Sequence, residues 1–348
     1  MSTQNASQKG SESPAEVMLR LISGAWVSRA LYVAAKLGIP DILQDQVKGA
    51  VELAEATHTH APSLYRLLRV LVSIGVMMRD ENDHFALTPV GATLRTDVPE
   101  SLRAWALSQL GDQHYQAWGD VLHSIQTGET AFKHVFGMDV WQYRALHLEQ
   151  SKLFDEAMAN LINMLNPAIL NSYDFSSIQQ IVDVGGGNGS LLLYLLNGNP
   201  HMKGIVFDSP HVAEGAKPRI EAAGLGDRCV SMGGDFFDAV PAGGNAYILS
   251  RIIHDWDDEH SITILKNCRR VMASGAKLLL MERVIPDEIE TTSKSQNTLL
   301  SDLNMMVIVS GRERSKAEYE ALFKAAGFSL TRIIATQSVI SIIEAVPV

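Results

Sequence analysis

Two short stretches of this sequence combine residue types and spacing that suit chemistry. The first is Val182-Asp183-Val184-Gly185-Gly186-Gly187-Asn188-Gly189. Glycines there permit backbone torsions closed to other residues and let a ligand approach the main chain closely. Asp208 follows about 20 residues later, the interval at which an acid bonds a ribose hydroxyl. Asp235-Phe236 offers a second acceptor and an aromatic plate for a base. The order Gly185-x-Gly187-x-Gly189 departs from the G-x-G-x-x-G dinucleotide fingerprint, so a nicotinamide cofactor fits less well. The plain alternative is a tight glycine turn with no ligand, and the two acids downstream argue against it.

The second stretch is Ser250-Arg251-Ile252-Ile253-His254-Asp255-Trp256. Histidine titrates near neutrality, so His254 can take a proton and release it again. Glu282, and Glu313 in Gly311-Arg312-Glu313-Arg314, are candidate partners. Carboxylates beside an imidazole orient it and favour its protonated form. The alternatives are a hydrogen-bonded structural histidine, an exposed strand end and a surface ion pair. His254-Asp255 has no second histidine at ligand spacing, so no metal is expected.

These residues need a frame. The second half of the chain alternates short β-rich runs with helices. Strands are predicted over 178–184, 204–208, 228–232, 246–253 and 277–282, and helices over 191–196, 211–223 and 257–272. A further helix over 315–326 opens on a Ser315/Glu318 capping box and ends at Gly327. Closing strands are expected over 329–334 and 339–345. Such β-α units predict an α/β fold with a mostly parallel sheet covered on both faces. Ligands then bind beyond the carboxyl ends of the strands. The glycine turn, Asp208, His254 and Glu282 all fall on that edge.

The first half instead repeats apolar residues at helical spacing. Helices are predicted over 15–36, 51–56 and 64–74, stopped by Gly75. A hairpin follows over 76–78 and 84–88, around Asp80 to Asp83. Two helices and a hairpin make a winged-helix pattern, and more helices follow through Asn166. The expected organisation is a loose polar tail over 1–14, a helical domain over 15–165 and an α/β domain over 166–348.

Composition limits the function. The chain has 348 residues, 46% hydrophobic and 20% charged, with net charge −10. An acidic surface disfavours a grip on nucleic-acid phosphates. The winged-helix segment from Val51 to Arg95 carries Arg66, Arg69, Arg79 and Arg95 against Glu52, Glu55, Asp80, Glu81 and Asp83. Its Leu64, Leu67 and Leu68 read as buried, whereas a DNA reader displays a basic face. A ligand-sensing regulator is therefore disfavoured, and no nucleic-acid partner is expected. Cys229 and Cys268 cannot build a disulfide framework, which suggests a reducing, cytoplasmic setting. The apolar stretch from Leu19 to Leu43 is broken by Arg20, Arg29 and Lys36, so no membrane span is expected.

Together these motifs resemble the small-molecule O-methyltransferases that use S-adenosylmethionine, of the caffeic-acid, hydroxyindole and bacterial polyketide or phenazine type. The resemblance runs from about Glu16 to the C-terminus. It rests on Val182 to Gly189, Val206-Phe207-Asp208-Ser209-Pro210-His211-Val212, Gly234-Asp235-Phe236-Phe237, Ile253-His254-Asp255-Trp256, Leu280-Met281-Glu282 and Gly311-Arg312-Glu313-Arg314-Ser315. It implies a Rossmann-like class I methyltransferase domain behind an all-helical, winged-helix-like dimerisation domain, hence a homodimer. It also implies metal-independent methyl transfer to a hydroxyl, most often phenolic, of an aromatic secondary metabolite, leaving S-adenosylhomocysteine.

Carried onto this sequence, Gly185 would line the cofactor's methionine end, Asp208 its ribose, and Asp235 with Phe236 its adenine, and Gly187 would also contact the cofactor. His254 would be the general base, with Glu282 and Glu313 beside it. Phe154, Met158, Asp255, Trp256, Asp302 and Met305 are candidates for the acceptor pocket. Plant members usually carry a lysine where this chain has Ser250. Serine, usual in bacterial relatives, gives a hydrogen bond without charge. A fold recruited to other chemistry would keep the cofactor site, but retention of His254, Glu282 and Glu313 argues against it.

Overall fold

The computed structural model describes residues 12–348, so the tail expected over 1–14 lies, up to residue 11, outside the described residues. The described chain forms two compact units that divide between Gly111 and Asp112.

The first unit contains α1 (Pro14–Ile22), α2 (Gly24–Lys36), α3 (Ile39–Leu43), β1 (Lys48–Gly49), α4 (Ala50–Thr57), α5 (Ala61–Ser73), β2 (Met77–Arg79), β3 (His84–Leu87), α6 (Pro89–Ala92) and α7 (Arg103–Gln109). Glu12 and Ser13 are ordered rather than loose, because Ser13 closes a capping box with Glu16. The single helix expected over 15–36 is two helices bent by 41°. The break falls at Ser23-Gly24, where the Ser23 hydroxyl bonds the Leu19 carbonyl; a Ser-Gly pair is a common cause of such a kink. Among the described residues no single helix is long and apolar enough to cross a membrane, and only this bent pair passes by length and composition. Leu64, Leu68 and Leu71 of α5 are buried, as the periodicity predicts, whereas Leu67, also read as buried, is only partly so. The hairpin is present, and β1 adds a third strand in the order β1-β3-β2.

The second unit opens with helices α8 (Asp112–Gly119), α9 (Val121–Thr127), α10 (Ala131–Phe136), α11 (Val140–Leu146) and α12 (Leu148–Ser172). The α/β alternation follows: β4 (Gln180–Val184), α13 (Ser190–Gly198), β5 (Lys203–Asp208), α14 (Pro210–Ala222), β6 (Cys229–Gly233), β7 (Ala246–Ser250), α15 (Asp258–Val271) and β8 (Lys277–Glu282). The chain closes with β9 (Val284–Ile285), α16 (Ser293–Ile308), β10 (Arg314–Ser315), α17 (Lys316–Ala326), β11 (Phe328–Ala335) and β12 (Ser341–Pro347). The expected boundary at 165/166 would cut α12 in two. The helices before it belong to the second unit because α8 and α10 pack on α16, and α12 on α13.

The main sheet runs β11-β12-β8-β7-β4-β5-β6. Its members β4 to β8 are parallel, whereas β12 pairs antiparallel with β8, and β11 antiparallel with β12. One apolar cluster covers each face, as buried parallel strands require. Strand order reverses between β4 and β7, the crevice where ligands of such sheets bind. One expectation changes here. The strand expected over 246–253 ends at Ser250, because Arg251 adopts φ +57° and turns the chain away. Asp302, a candidate for the acceptor pocket, lies within α16.

Candidate active site

The glycine turn leaves β4 at the reversal point. Gly185 and Gly186 bond back to the Phe207 carbonyl of β5. Gly187 has φ +57°, and a Cβ there would enter open space. Its N–H donates to Asp208 Oδ2 at 2.9 Å, while Asp208 Oδ1 accepts from the Ser209 N–H at 2.7 Å. An oriented carboxylate beside an open glycine turn fits the ribose end of the expected cofactor. Asp235 is exposed after β6, and Phe236 meets Trp256 edge-on at 6.1 Å. Ser250 ends β7 and pairs with Met281. Asp183, just before the turn, is buried with neither oxygen hydrogen-bonded, and burial, with Asp208 nearby, pushes its pKa up to about 7.

Beyond β7 the loop is held by a buried carboxylate. Glu282, the last residue of β8, accepts at Oε1 from the backbone N–H groups of Ile252 (3.1 Å), Ile253 (2.8 Å) and His254 (3.4 Å). These bonds replace the ladder that strand continuation would have made. Glu282 Oε2 lies 3.1 Å from His254 Nδ1, and Glu313 Oε1 lies 3.4 Å from it. Asp255 Oδ1 stands 3.5 Å from the other nitrogen, Nε2. Burial disfavours the imidazolium, but Glu282, Glu313 and Asp255 outweigh it and hold the His254 pKa above its ordinary value. Burial also opposes ionisation of Glu313, yet His254, the Ser301 hydroxyl and Arg283 hold its pKa below the usual range. Burial raises Asp255 to about 6.

Sequence reasoning missed the struts of this loop. Arg314 is fully buried and donates to the Ile253 carbonyl (2.9 Å), the Trp256 carbonyl (2.8 Å) and Asp258 (2.9 Å). Gly311 passes so close that a Cβ would overlap the His254 carbonyl oxygen. Ser301 donates to Glu313 Oε1 at 2.7 Å. Asp302 Oδ1 accepts the Glu313 N–H at 3.0 Å, which commits that oxygen to the loop. Met305 stands buried on α16.

The remaining candidates join an aromatic cluster. Phe154 lies edge-on to Trp141 at 6.4 Å, and Trp141 stacks on Trp256 at 6.1 Å. Met158 Sδ accepts from Arg251 Nη1 at 3.4 Å. Trp141 and Arg144 of α11 were also missed. Val140 and Arg144 are one helical turn apart and both buried, so a charge on an apolar face was the available signal.

A model of the O-methyltransferase domain matches residues 118–329, and one of the O-methyltransferase dimerisation domain matches residues 19–97. The phenazine O-methyltransferase PhzM of Lysobacter antibioticus is 46% identical over 332 residues, covering 95% of this chain and 96% of that protein. The solved structure of LaPhzM superposes with a TM-score of 0.92 at 45% identity, over 97% of this chain and 100% of that one. NcsB1, an O-methyltransferase from neocarzinostatin biosynthesis solved with S-adenosylmethionine and 2-hydroxy-5-methyl naphthoic acid, gives 0.79 at 33% identity, over 92% and 96%.

Proposed function

The chain belongs to the O-methyltransferase family, and from that premise we propose that it methylates a phenolic hydroxyl of an aromatic small molecule with His254 as general base. The protein is an S-adenosylmethionine-dependent enzyme of secondary metabolism. Gly185 and Gly187 would line the methionine end of that cofactor, with Asp208 at its ribose and Asp235 and Phe236 at its adenine; Ser250 would add a neutral hydrogen bond. When bound, S-adenosylmethionine supplies an activated methyl on a sulfonium, so the protein need only align an acceptor and take one proton.

The observation that carries the reading is the buried imidazole with two carboxylates on Nδ1. With carboxylates at 3.1 and 3.4 Å, Nδ1 would keep its proton, which leaves Nε2 as the nitrogen that takes the acceptor's proton. They then stabilise the imidazolium that forms. Glu282 also fixes the ring through three backbone N–H groups, so it positions as well as stabilises. Phe154, Trp256 and Trp141 would supply flat apolar walls for an aromatic acceptor, and Met158 a flexible thioether beside Arg251. The spacing of His254, Glu282 and Glu313 would also suit one metal ion. A cation and the Nδ1 proton would compete for the same point, and we assign it to the proton.

The dimerisation match, with Leu19, Ile22 and Trp26 exposed on α1 and α2, supports a homodimer. The test of the base is His254→Ala, assayed for methyl gain by mass across a panel of phenols. Turnover should fall about 10²–10⁴-fold, while calorimetric affinity for S-adenosylhomocysteine stays unchanged. Near-normal turnover removes His254 from the role.

A further inference from the structure

Arg144 is 8% exposed, and its Nε and Nη1 are buried with no hydrogen-bond partner. Its guanidinium carbon lies 3.4 Å from the centre of the Phe154 ring and 5.1 Å from that of Trp141. Among the described residues no carboxylate comes within ion-pair distance of it. Asp255 and the exposed Asp155 act on it only from farther away, and burial pushes its pKa down to about 10, which leaves it charged at neutral pH. Trp141 Nε1 is likewise buried and unpartnered. Trp141 in turn stacks on Trp256, two residues past His254. A cation and an indole N–H, both lacking acceptors, therefore share the aromatic cluster next to the histidine loop.

A buried charge without a partner is costly, and buried polar groups in folded proteins are nearly always hydrogen-bonded. A group that only accepts and carries negative charge would answer both donors at once. A carboxylate matches the planar fork of a guanidinium in a bidentate pair. An aromatic ring bearing that carboxylate would lie against the cluster that Phe154, Trp141 and Trp256 form. We propose that Arg144, with Trp141 Nε1, is a subsite for a carboxylate on the acceptor, which makes the substrate class hydroxylated aromatic acids. This rests on the reading of the His254 pocket as the acceptor site. Arg144 is then a specificity-determining residue, with no part in the proton transfer.

The experiment uses 3-hydroxy-2-naphthoate and 2-naphthol, which differ by the carboxylate. Binding is followed by calorimetry with S-adenosylhomocysteine present, and methyl gain with S-adenosylmethionine, for the full-length protein and its Arg144→Met and Arg144→Lys variants. The unaltered protein should bind the naphthoate at least tenfold more tightly than the naphthol. Arg144→Met should erase that ratio and Arg144→Lys restore part of it. Without ligand, Arg144→Met should melt at or above the temperature of the unaltered protein and lose the naphthoate-induced rise. Equal binding of the two probes, binding of neither, or a less stable Arg144→Met with the ratio intact overturns the proposal. Equal methylation of both probes overturns the subsite and leaves the acceptor reading standing. Arg144-dependent binding of the naphthoate with no methyl gain supports the subsite and overturns the acceptor reading.

Discussion

Two buried arginines of the second unit solve the same problem in opposite ways. Arg314 lies against the histidine loop, and its donors meet the Ile253 and Trp256 carbonyls and Asp258. Arg144 lies in the aromatic cluster, and two of its three nitrogens meet nothing. The first charge is answered inside the protein and braces the main chain around His254. The second is solvated only by ring faces, which favour a cation far less than a carboxylate does. The contrast teaches that burial of a charge says little by itself; where its hydrogen bonds go separates a brace from a receptor.

The contrast breaks if both arginines behave alike on removal. Arg314→Met should cost about 3 kcal/mol of stability, because it leaves two backbone carbonyls unanswered in the interior. Urea unfolding reads that loss, and a similar loss for Arg144→Met would erase the distinction. Gly311→Ala attacks the braced side from the other direction. A Cβ forced onto the His254 carbonyl should cost about 2 kcal/mol and lower turnover more than it lowers affinity for S-adenosylhomocysteine. A variant as active and as stable as the parent would mean the loop can move aside freely.

The smallest effect is electrostatic. Glu313→Gln removes one of the charges that hold the His254 pKa up, so that pKa should fall. His254 accepts a proton only when Nε2 is free, so the acid limb of the rate profile should move to lower pH. Stability should follow the same sign. A raised histidine pKa stabilises the fold fully below its unfolded value of about 6.5, and that contribution disappears as pH rises through the folded value. The stability advantage of the parent over Glu313→Gln should therefore shrink across that window. An unmoved acid limb would assign the profile to another group.

Features built from near neighbours were legible in the sequence. The runs at β5 and β8, the glycine turn between β4 and α13 and the Ser315/Glu318 capping box all depend on residues a few positions apart. The ends of parallel strands also told which edge Asp208, His254 and Glu282 would share, since β-α alternation orients every such strand the same way. Other features were hidden. The α1–α2 break depends on one hydroxyl at Ser23. Helix α16 begins in Ser293-Lys294-Ser295-Gln296-Asn297, where the weak helix formers Ser293, Ser295 and Asn297 mask it. The exit from β7 at Ser250 depends on Glu282 capturing three N–H groups from 28 to 30 residues away.

The sequence by itself therefore determined the α/β order, the cofactor-type turn and the chemical types of the proton-handling residues. Those follow from local pattern and from the one orientation that parallel strands share. Only the tertiary structure decided that His254 Nδ1 faces two carboxylates, that Arg314 is answered and that Arg144 is not. Whether a buried charge finds its partner depends on the packing of elements far apart in the chain, and no spacing along the sequence encodes that distance.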